Sequence, residues 1–278
     1  MANGGGAVLR FAGVRAGYGG AERLHGVSCE VRAGRLTALI GPNGCGKSTL
    51  LKCAAGLLKP SGGAVYVGGT DVASLSPKAL ASRVSYMPQS RLTPSISVEQ
   101  LVAHGRYSHL RWGRSLTEAD REIVRASMAR AGALDCANRL VGELSGGERQ
   151  RAYLAMMLAQ QAPAMLLDEP TTYLDPGAQF QLMDLLSALC GEGRAVAVVL
   201  HDLALALEYA DDVLLMRDGR IEETGAPDDL CASGAIQDAF GVEIERTSAG
   251  RYALAPARGR GNPPRVRELN SRAANGAQ

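Results

Sequence analysis

The chain has 278 residues, of which 46% are apolar and 21% charged, with a formal net charge of +2. That length holds one large or two small domains with a full core, and so small a charge gives no argument for a nucleic-acid partner. No stretch approaches the roughly 18 uncharged apolar residues of a membrane span, and residues 1–7 lack the charged and apolar regions of a secretory signal. The six cysteines include no C-x-x-C pair. They read as small buried apolar residues in a reducing compartment, so the protein is expected to be intracellular and to reach any membrane through partners.

Residues 8–14 and 27–31 alternate in polarity and predict two short strands, joined by a glycine-rich turn containing Tyr18. An apolar run over 36–40 leads into Gly41-Pro42-Asn43-Gly44-Cys45-Gly46-Lys47-Ser48-Thr49 and then a helix-compatible run over 50–58. Beyond the breaker at 60–63, residues 64–67 predict a strand, 77–82 a helical turn or two, and 84–87 a strand ended by Pro88-Gln89. From residue 98 the apolar spacing becomes helical, over 98–104 and again over 117–131, where Thr117 offers an N-cap. Residues 91–141 therefore read as a helical insertion.

Strand and helix then alternate again. Residues 146–160 are helical, and 164–167 form a buried strand running into Asp168-Glu169-Pro170. Pro176 opens a helix, 195–200 is a strand closed by His201-Asp202, and Asp218-Gly219 turns a hairpin between 213–216 and 220–224. Unbroken apolar strands separated by helices predict an α/β fold, a mostly parallel sheet covered on both faces. The ordered domain is expected over 7–256. Residues 257–278, rich in Arg, Gly, Pro and Asn, read as a disordered tail, with a basic contact arm as the alternative.

Residues 41–49 fit G-x-x-x-x-G-K-[ST], the phosphate-binding P-loop. Its glycines let backbone N–H groups approach phosphate, and the following helix aims its positive end at the anion. Lys47 supplies a charge for the β/γ-phosphates, and Ser48 a hydroxyl for Mg²⁺. Asp168 and Glu169 end a strand at the sheet edge that also carries the P-loop. There Asp168 suits the metal, and Glu169 suits the general base or the positioning of water.

Leu144-Ser145-Gly146-Gly147-Glu148 precedes a helix. It is either an ordinary Ser cap or a second phosphate cradle, and one nucleotide needs two cradles only if a second copy of the chain supplies one of them head to tail. His201 either bonds the γ-phosphate or is a structural histidine. Gln89 either reaches Mg²⁺ or water or is a loop residue. Tyr18 either stacks on adenine or is an exposed turn tyrosine.

The set resembles the ATP-binding subunit of ABC transporters. Residues 41–49 match its Walker A motif, Leu144-Ser145-Gly146-Gly147-Glu148 its signature, and Met165-Leu166-Leu167-Asp168-Glu169-Pro170 its Walker B motif. Leu174-Asp175 matches the D-loop, Gln89 the Q-loop, His201 the switch histidine, and Tyr18 the aromatic that stacks on adenine. Tyr86-Met87-Pro88-Gln89, His104-Gly105-Arg106-Tyr107, Ala159-Gln160 and Thr171-Thr172-Tyr173-Leu174-Asp175 are similar to the ATPases of iron-chelate importers.

The resemblance implies an N-terminal antiparallel β subdomain beside the parallel sheet. It also implies Mg²⁺ and ATP bound between two copies, by Ser48, Gln89 and Asp168 for the metal and by Tyr18, residues 41–49, Gln89, Asp175 and the partner's Ser145 to Glu148 for the nucleotide. Glu169, His201 and Lys47 would carry the chemistry. The further partners it implies are a permease at the cytoplasmic face of the membrane, engaged by the insertion through Tyr107, His109 and Trp112 if these do not merely pack within it, and indirectly a substrate-binding protein. The alternatives are the ATPase of a cobalamin or other importer, or a soluble non-transport ABC ATPase. Glu148-Arg149-Gln150 departs from the family, where Gln often follows the glycines; Ser145 and the backbone are expected to keep the nucleotide contact.

Overall fold

The structure, a computed structural model, describes residues 6–90, 92–110, 115–172, 174–248 and 250–257. Trp112, Tyr173 and the tail beyond 257 therefore lie outside the described residues. The strands are β1 (Ala7–Tyr18), β2 (Ala21–Arg32), β3 (Leu36–Ile40), β4 (Gly62–Val67), β5 (Thr70–Asp71), β6 (Val84–Met87), β7 (Ala164–Asp168), β8 (Ala195–Val199), β9 (Asp212–Arg217), β10 (Arg220–Gly225), β11 (Val242–Arg246) and β12 (Tyr252–Pro256). The helices are α1 (Lys47–Ala54), α2 (Pro77–Ala81), α3 (Val98–His104), α4 (Glu118–Arg130), α5 (Gly146–Gln160), α6 (Pro176–Gly191), α7 (Leu203–Tyr209), α8 (Pro227–Ser233) and α9 (Ala235–Phe240).

The central sheet runs β10-β9-β3-β8-β7-β6, with β9 to β6 all parallel and β10 returning antiparallel as a hairpin. A second sheet, β2-β1-β4-β5, is antiparallel. The two sheets explain why β3, β7 and β8 read as unbroken apolar runs. Alternate side chains serve two different cores. Leu36, Ala38, Ile40, Met165, Leu167, Val196 and Val198 face the core shared with α3 to α7. Leu39, Leu166, Ala197 and Val199 face the core shared with α1 and the antiparallel sheet. Among the described residues no helix is long and apolar enough to cross a membrane.

Three local differences from the sequence reading have physical reasons. Strands β1 and β2 each run 12 residues, because the polar positions between the expected short strands lie on an exposed face of the hairpin, where Arg15 pairs with Glu22 at 3.0 Å. Tyr18 is thus the last residue of β1, and the turn is Gly19-Gly20. Helix α1 starts at Lys47 rather than at residue 50, since Gly46 in the left-handed region serves as its N-cap, and it ends at Ala54. The elements α8, α9, β11 and β12 are short and only partly apolar, and the sequence pattern did not mark them.

Helices α3 and α4 pack against α5. Gly105 makes that approach possible: a Cβ there would lie 2.3 Å from the Met156 carbonyl oxygen. Arg106 is buried in the same place, its Nε 3.0 Å from Asp120 Oδ1 and its Nη1 2.8 Å from both the Ala159 carbonyl and Gln161 Oε1. The Thr117 hydroxyl and backbone N–H, then Arg106, hold the Asp120 carboxyl down to about 2.

Asp120→Ala is expected to destabilise the protein by about 3 kcal/mol in urea unfolding, because it leaves a buried guanidinium without its counter-charge. Since the folded-state value is depressed, the carboxylate's stabilisation is present above its ordinary value near 3.8 and lost as pH falls through about 2. The wild-type and variant stabilities should therefore converge at acid pH.

Candidate nucleotide site

Strand β3 ends at Ile40, and the chain turns through residues 41–46 into α1. The turn requires glycine. Gly41 has φ 149°, and a Cβ on it would lie 2.1 Å from the Met216 carbonyl oxygen. Helices α2 to α7 each begin with a Ser, Thr or Asp side chain accepting a backbone N–H, whereas α1 has no such side-chain cap. Its first N–H groups are thus the uncapped donors of a helix N-terminus, which favour an anion.

Lys47 is buried and folds back over the loop, with Nζ donating to the carbonyls of Gly41 at 2.7 Å and Pro42 at 3.1 Å. A cleft of about 320 Å³ opens here, lined by Tyr18, Arg23, Asn43, Lys47, Ser48 and Glu169 among others. The Tyr18 ring is half exposed, with Lys52 Nζ 5.7 Å from its centroid.

The carboxylates come from the end of β7. Asp168 is buried; its Oδ1 accepts from Ser48 Oγ at 2.9 Å and its Oδ2 from Tyr86 Oη at 3.3 Å. Burial pushes the Asp168 carboxyl above its usual value, the Ser48 bond opposes this, and the neighbouring Glu169 adds to it. A cation here would relieve both burdens, and a hydroxyl beside a carboxylate is the hard oxygen set that Mg²⁺ takes. Tyr86, whose phenol burial and Asp168 hold well above its ordinary value, remains a donor at neutral pH.

Glu169 is where two other predicted site residues, Gln89 and His201, meet. Its Oε2 accepts from Gln89 Nε2 at 2.6 Å, and its Oε1 lies 2.7 Å from His201 Nε2. Gln89 comes just after β6 and His201 just after β8, the two strands flanking β7, so the parallel order β6-β7-β8 lines the three residues up at one edge. Glu169 itself has φ 52°, a left-handed backbone that costs a non-glycine residue about 1 kcal/mol or more. The Gln89 amide is thus engaged by the Glu169 carboxylate.

The signature segment is built separately. The Ser145 hydroxyl accepts from the Glu148 N–H at 3.3 Å, while Glu148 Oε2 accepts from the Ser145 N–H at 2.8 Å, a reciprocal capping box on α5. Arg139 Nη1 lies 2.6 Å from Glu148 Oε1. The Ser145 bonds and Arg139 together bring the Glu148 carboxyl down to about 2. Its carboxylate thus holds the cap in shape. None of residues 145–148 lines the P-loop cleft of the same chain. Asp175 caps α6, accepting from the Ala178 N–H at 3.0 Å.

Two residues of the insertion also find their places. His109 Nε2 lies 2.8 Å from the Gln160 carbonyl, a contact inside the helical layer, while Tyr107 is exposed. Sequence reasoning singled out neither Arg23 nor the Tyr86 hydroxyl as a site group. Tyr86 was visible only within a motif, and its distance in sequence from Asp168 hid the contact.

The fold and cleft define a P-loop nucleoside triphosphatase with its acidic pair beside the phosphate cradle. A family model described as ABC transporter matches residues 24–172, and the chain belongs to that family: it is an ABC-type transport ATPase that binds ATP. It is 40% identical to the ferric enterobactin transport ATP-binding protein of Escherichia coli (strain K12), over 89% of this chain and 93% of that one. It is 44% identical to a hemin import ATP-binding protein of Streptomyces coelicolor, over 86% of each. A solved ATP-binding subunit of an ABC transporter superposes with a TM-score of 0.73 at 26% identity, covering 84% of this chain and 95% of that one.

Proposed function

We propose that two copies of this chain hydrolyse Mg–ATP head to tail and so power import of an iron chelate, a siderophore or haem, through a permease at the cytoplasmic face of the membrane, supplied by a substrate-binding protein. The observation that carries the proposal is Glu169, gripped by Gln89 and His201 beside the Lys47–Ser48 cradle. The substrate class rests on the siderophore and hemin import relatives.

The N–H groups of residues 41–49 and the Lys47 ammonium would hold the phosphates, Tyr18 the adenine, and Ser48, Asp168 and Gln89 the metal. When bound, Mg²⁺ would neutralise charge on the β- and γ-phosphate oxygens. Glu169 takes the proton of the attacking water. His201 and Gln89 fix the two carboxylate oxygens that do so, and the tilt of either would misdirect the base. Ser145, Gly146 and Gly147 of the second copy supply donors from the N-terminus of its α5, held in shape by Glu148, with Asp175 at the junction between the copies. We assign residues 7–256 to this ATP-binding domain and 91–141 to the insertion that meets the permease, with Tyr107 as an exposed contact.

Two experiments test this. A tagged chain should co-purify with a polytopic membrane protein; its recovery alone from solubilised membranes would argue against the permease. Ser145→Arg should leave ATP binding to the monomer within about twofold of wild type and cut hydrolysis about a hundredfold, since it places a long cation in a cradle used only by the other copy. Loss of monomer binding would contradict the two-chain site.

A further inference from the structure

Helix α5 carries a second polar group whose surroundings point back to the active centre. Gln150 is 2% exposed, among the most buried polar side chains of the described residues. Its Nε2 donates to the carbonyl of Pro170 and lies 3.6 Å from Met87 Sδ. Pro170 follows Glu169 directly and is itself buried, so its carbonyl needs a donor from the protein. Met87 is the last residue of β6, two positions before Gln89. One amide therefore touches the backbone that carries the carboxylate and the strand end that carries one of its two hydrogen-bond partners.

The backbone at Glu169 is the reason this matters. A left-handed non-glycine residue persists only where its surroundings over-determine it, and such residues gather at functional sites. The Glu169 carbonyl is loosely engaged, accepting from the Thr172 N–H at 3.4 Å. The Gln150 bond to the next carbonyl is a buried tie on the Pro170–Thr171 peptide, one peptide beyond the one that joins Glu169 to Pro170.

We propose that Gln150 is a positioning residue for hydrolysis. By holding the Pro170 carbonyl it keeps Glu169 aimed between Gln89 and His201, and it makes that aim depend on where α5, with Ser145 at its head, lies against the central sheet. Displacing α5 withdraws the donor and turns the base away. The inference rests on Glu169 as the base.

Gln150→Met keeps length and volume but removes the donor. Its kcat is expected to fall about tenfold, with the KM for ATP within about twofold, because the phosphate cradle is untouched. The same change is then made in a Glu169→Gln chain. A residue that acts only through the base has nothing left to position there, so the residual turnover should change by less than about twofold.

A further tenfold drop in that background, or a rise in KM matching the loss in kcat, would overturn the inference in favour of a general structural role. Wild-type kcat in Gln150→Met, with Glu169→Gln inactive, would overturn the positioning role alone. Wild-type turnover in Glu169→Gln would remove the base, and the inference with it. If Gln150→Met does not fold, Gln150→Glu serves instead. In this buried site its carboxyl takes up a proton and donates to the Pro170 carbonyl in place of the amide, so kcat and KM near wild type are expected, and a loss of about tenfold in kcat despite the restored donor would overturn the inference.

Discussion

Glu169→Gln is expected to lower ATP turnover about a thousandfold while leaving ATP affinity within about threefold of wild type. The amide is isosteric and still reaches Gln89 and His201, so the cradle stays assembled. What it loses is the ability to take a proton from water. On the proposed two-chain site, closed chains then lack the hydrolysis that reopens them, and size-exclusion chromatography in ATP should show a stable dimer where wild type shows mostly monomer. Unchanged turnover would remove Glu169 from the chemistry and leave the paired contacts of Gln89 and His201 as structural.

The second large effect is expected at the other end of the cleft. Lys47→Ala should weaken ATP binding about a hundredfold, measured by titration with a fluorescent ATP analogue, because a charge-assisted contact to phosphate in a part-buried site is worth about 3 kcal/mol. Lys47 also ties the loop to itself through the carbonyls of Gly41 and Pro42. Thermal unfolding without nucleotide separates the two roles: a loss confined to binding leaves the midpoint in place, and a loosened loop lowers it. Wild-type affinity in the variant would contradict the phosphate-cradle assignment.

The phosphate cradle was legible in the sequence because its chemistry needs fixed spacing within one short segment. Gly41, Gly46 and Lys47 must follow a strand and open a helix for any backbone N–H to reach phosphate, and the apolar run before them and the helical run after them are local signals. The Ser145 cap is local in the same way, while its reciprocal bond with Glu148 three residues on emerged only from the structure. What joins separate segments was legible only as a set of motifs. Gln89, Glu169 and His201 meet because the sheet order puts β6 and β8 on either side of β7, and no periodicity in the chain states that order. Gln89 was read as reaching Mg²⁺ or water; nothing in the sequence signals its amide's bond to Glu169.

Residues that act by burial were the least visible. Arg106 sits in a motif that suggested kinship rather than a role, yet its guanidinium is the polar centre of the helical layer. Gln150 stood in the sequence only as part of a departure from the family pattern. Its burial against Pro170 appears once α5 is laid on the sheet. The C-terminal elements α8 to β12 were missed because each is too short to show a period: Leu230 and Ile236 are fully buried in the main core, and others, such as Phe240 and Ile244, are only partly buried against it.

Glu169 also links the site to the cell. Cells lacking this chain can be complemented with wild type or with Glu169→Gln at matched abundance, and uptake of radio-iron measured with the iron supplied as a catecholate siderophore, a hydroxamate siderophore and haem in turn. Wild type should restore uptake of at least one of the three, and Glu169→Gln should restore none. Uptake of all three that is unaffected by deletion, or that Glu169→Gln restores as well as wild type, would contradict a chain whose ATP hydrolysis drives iron-chelate import.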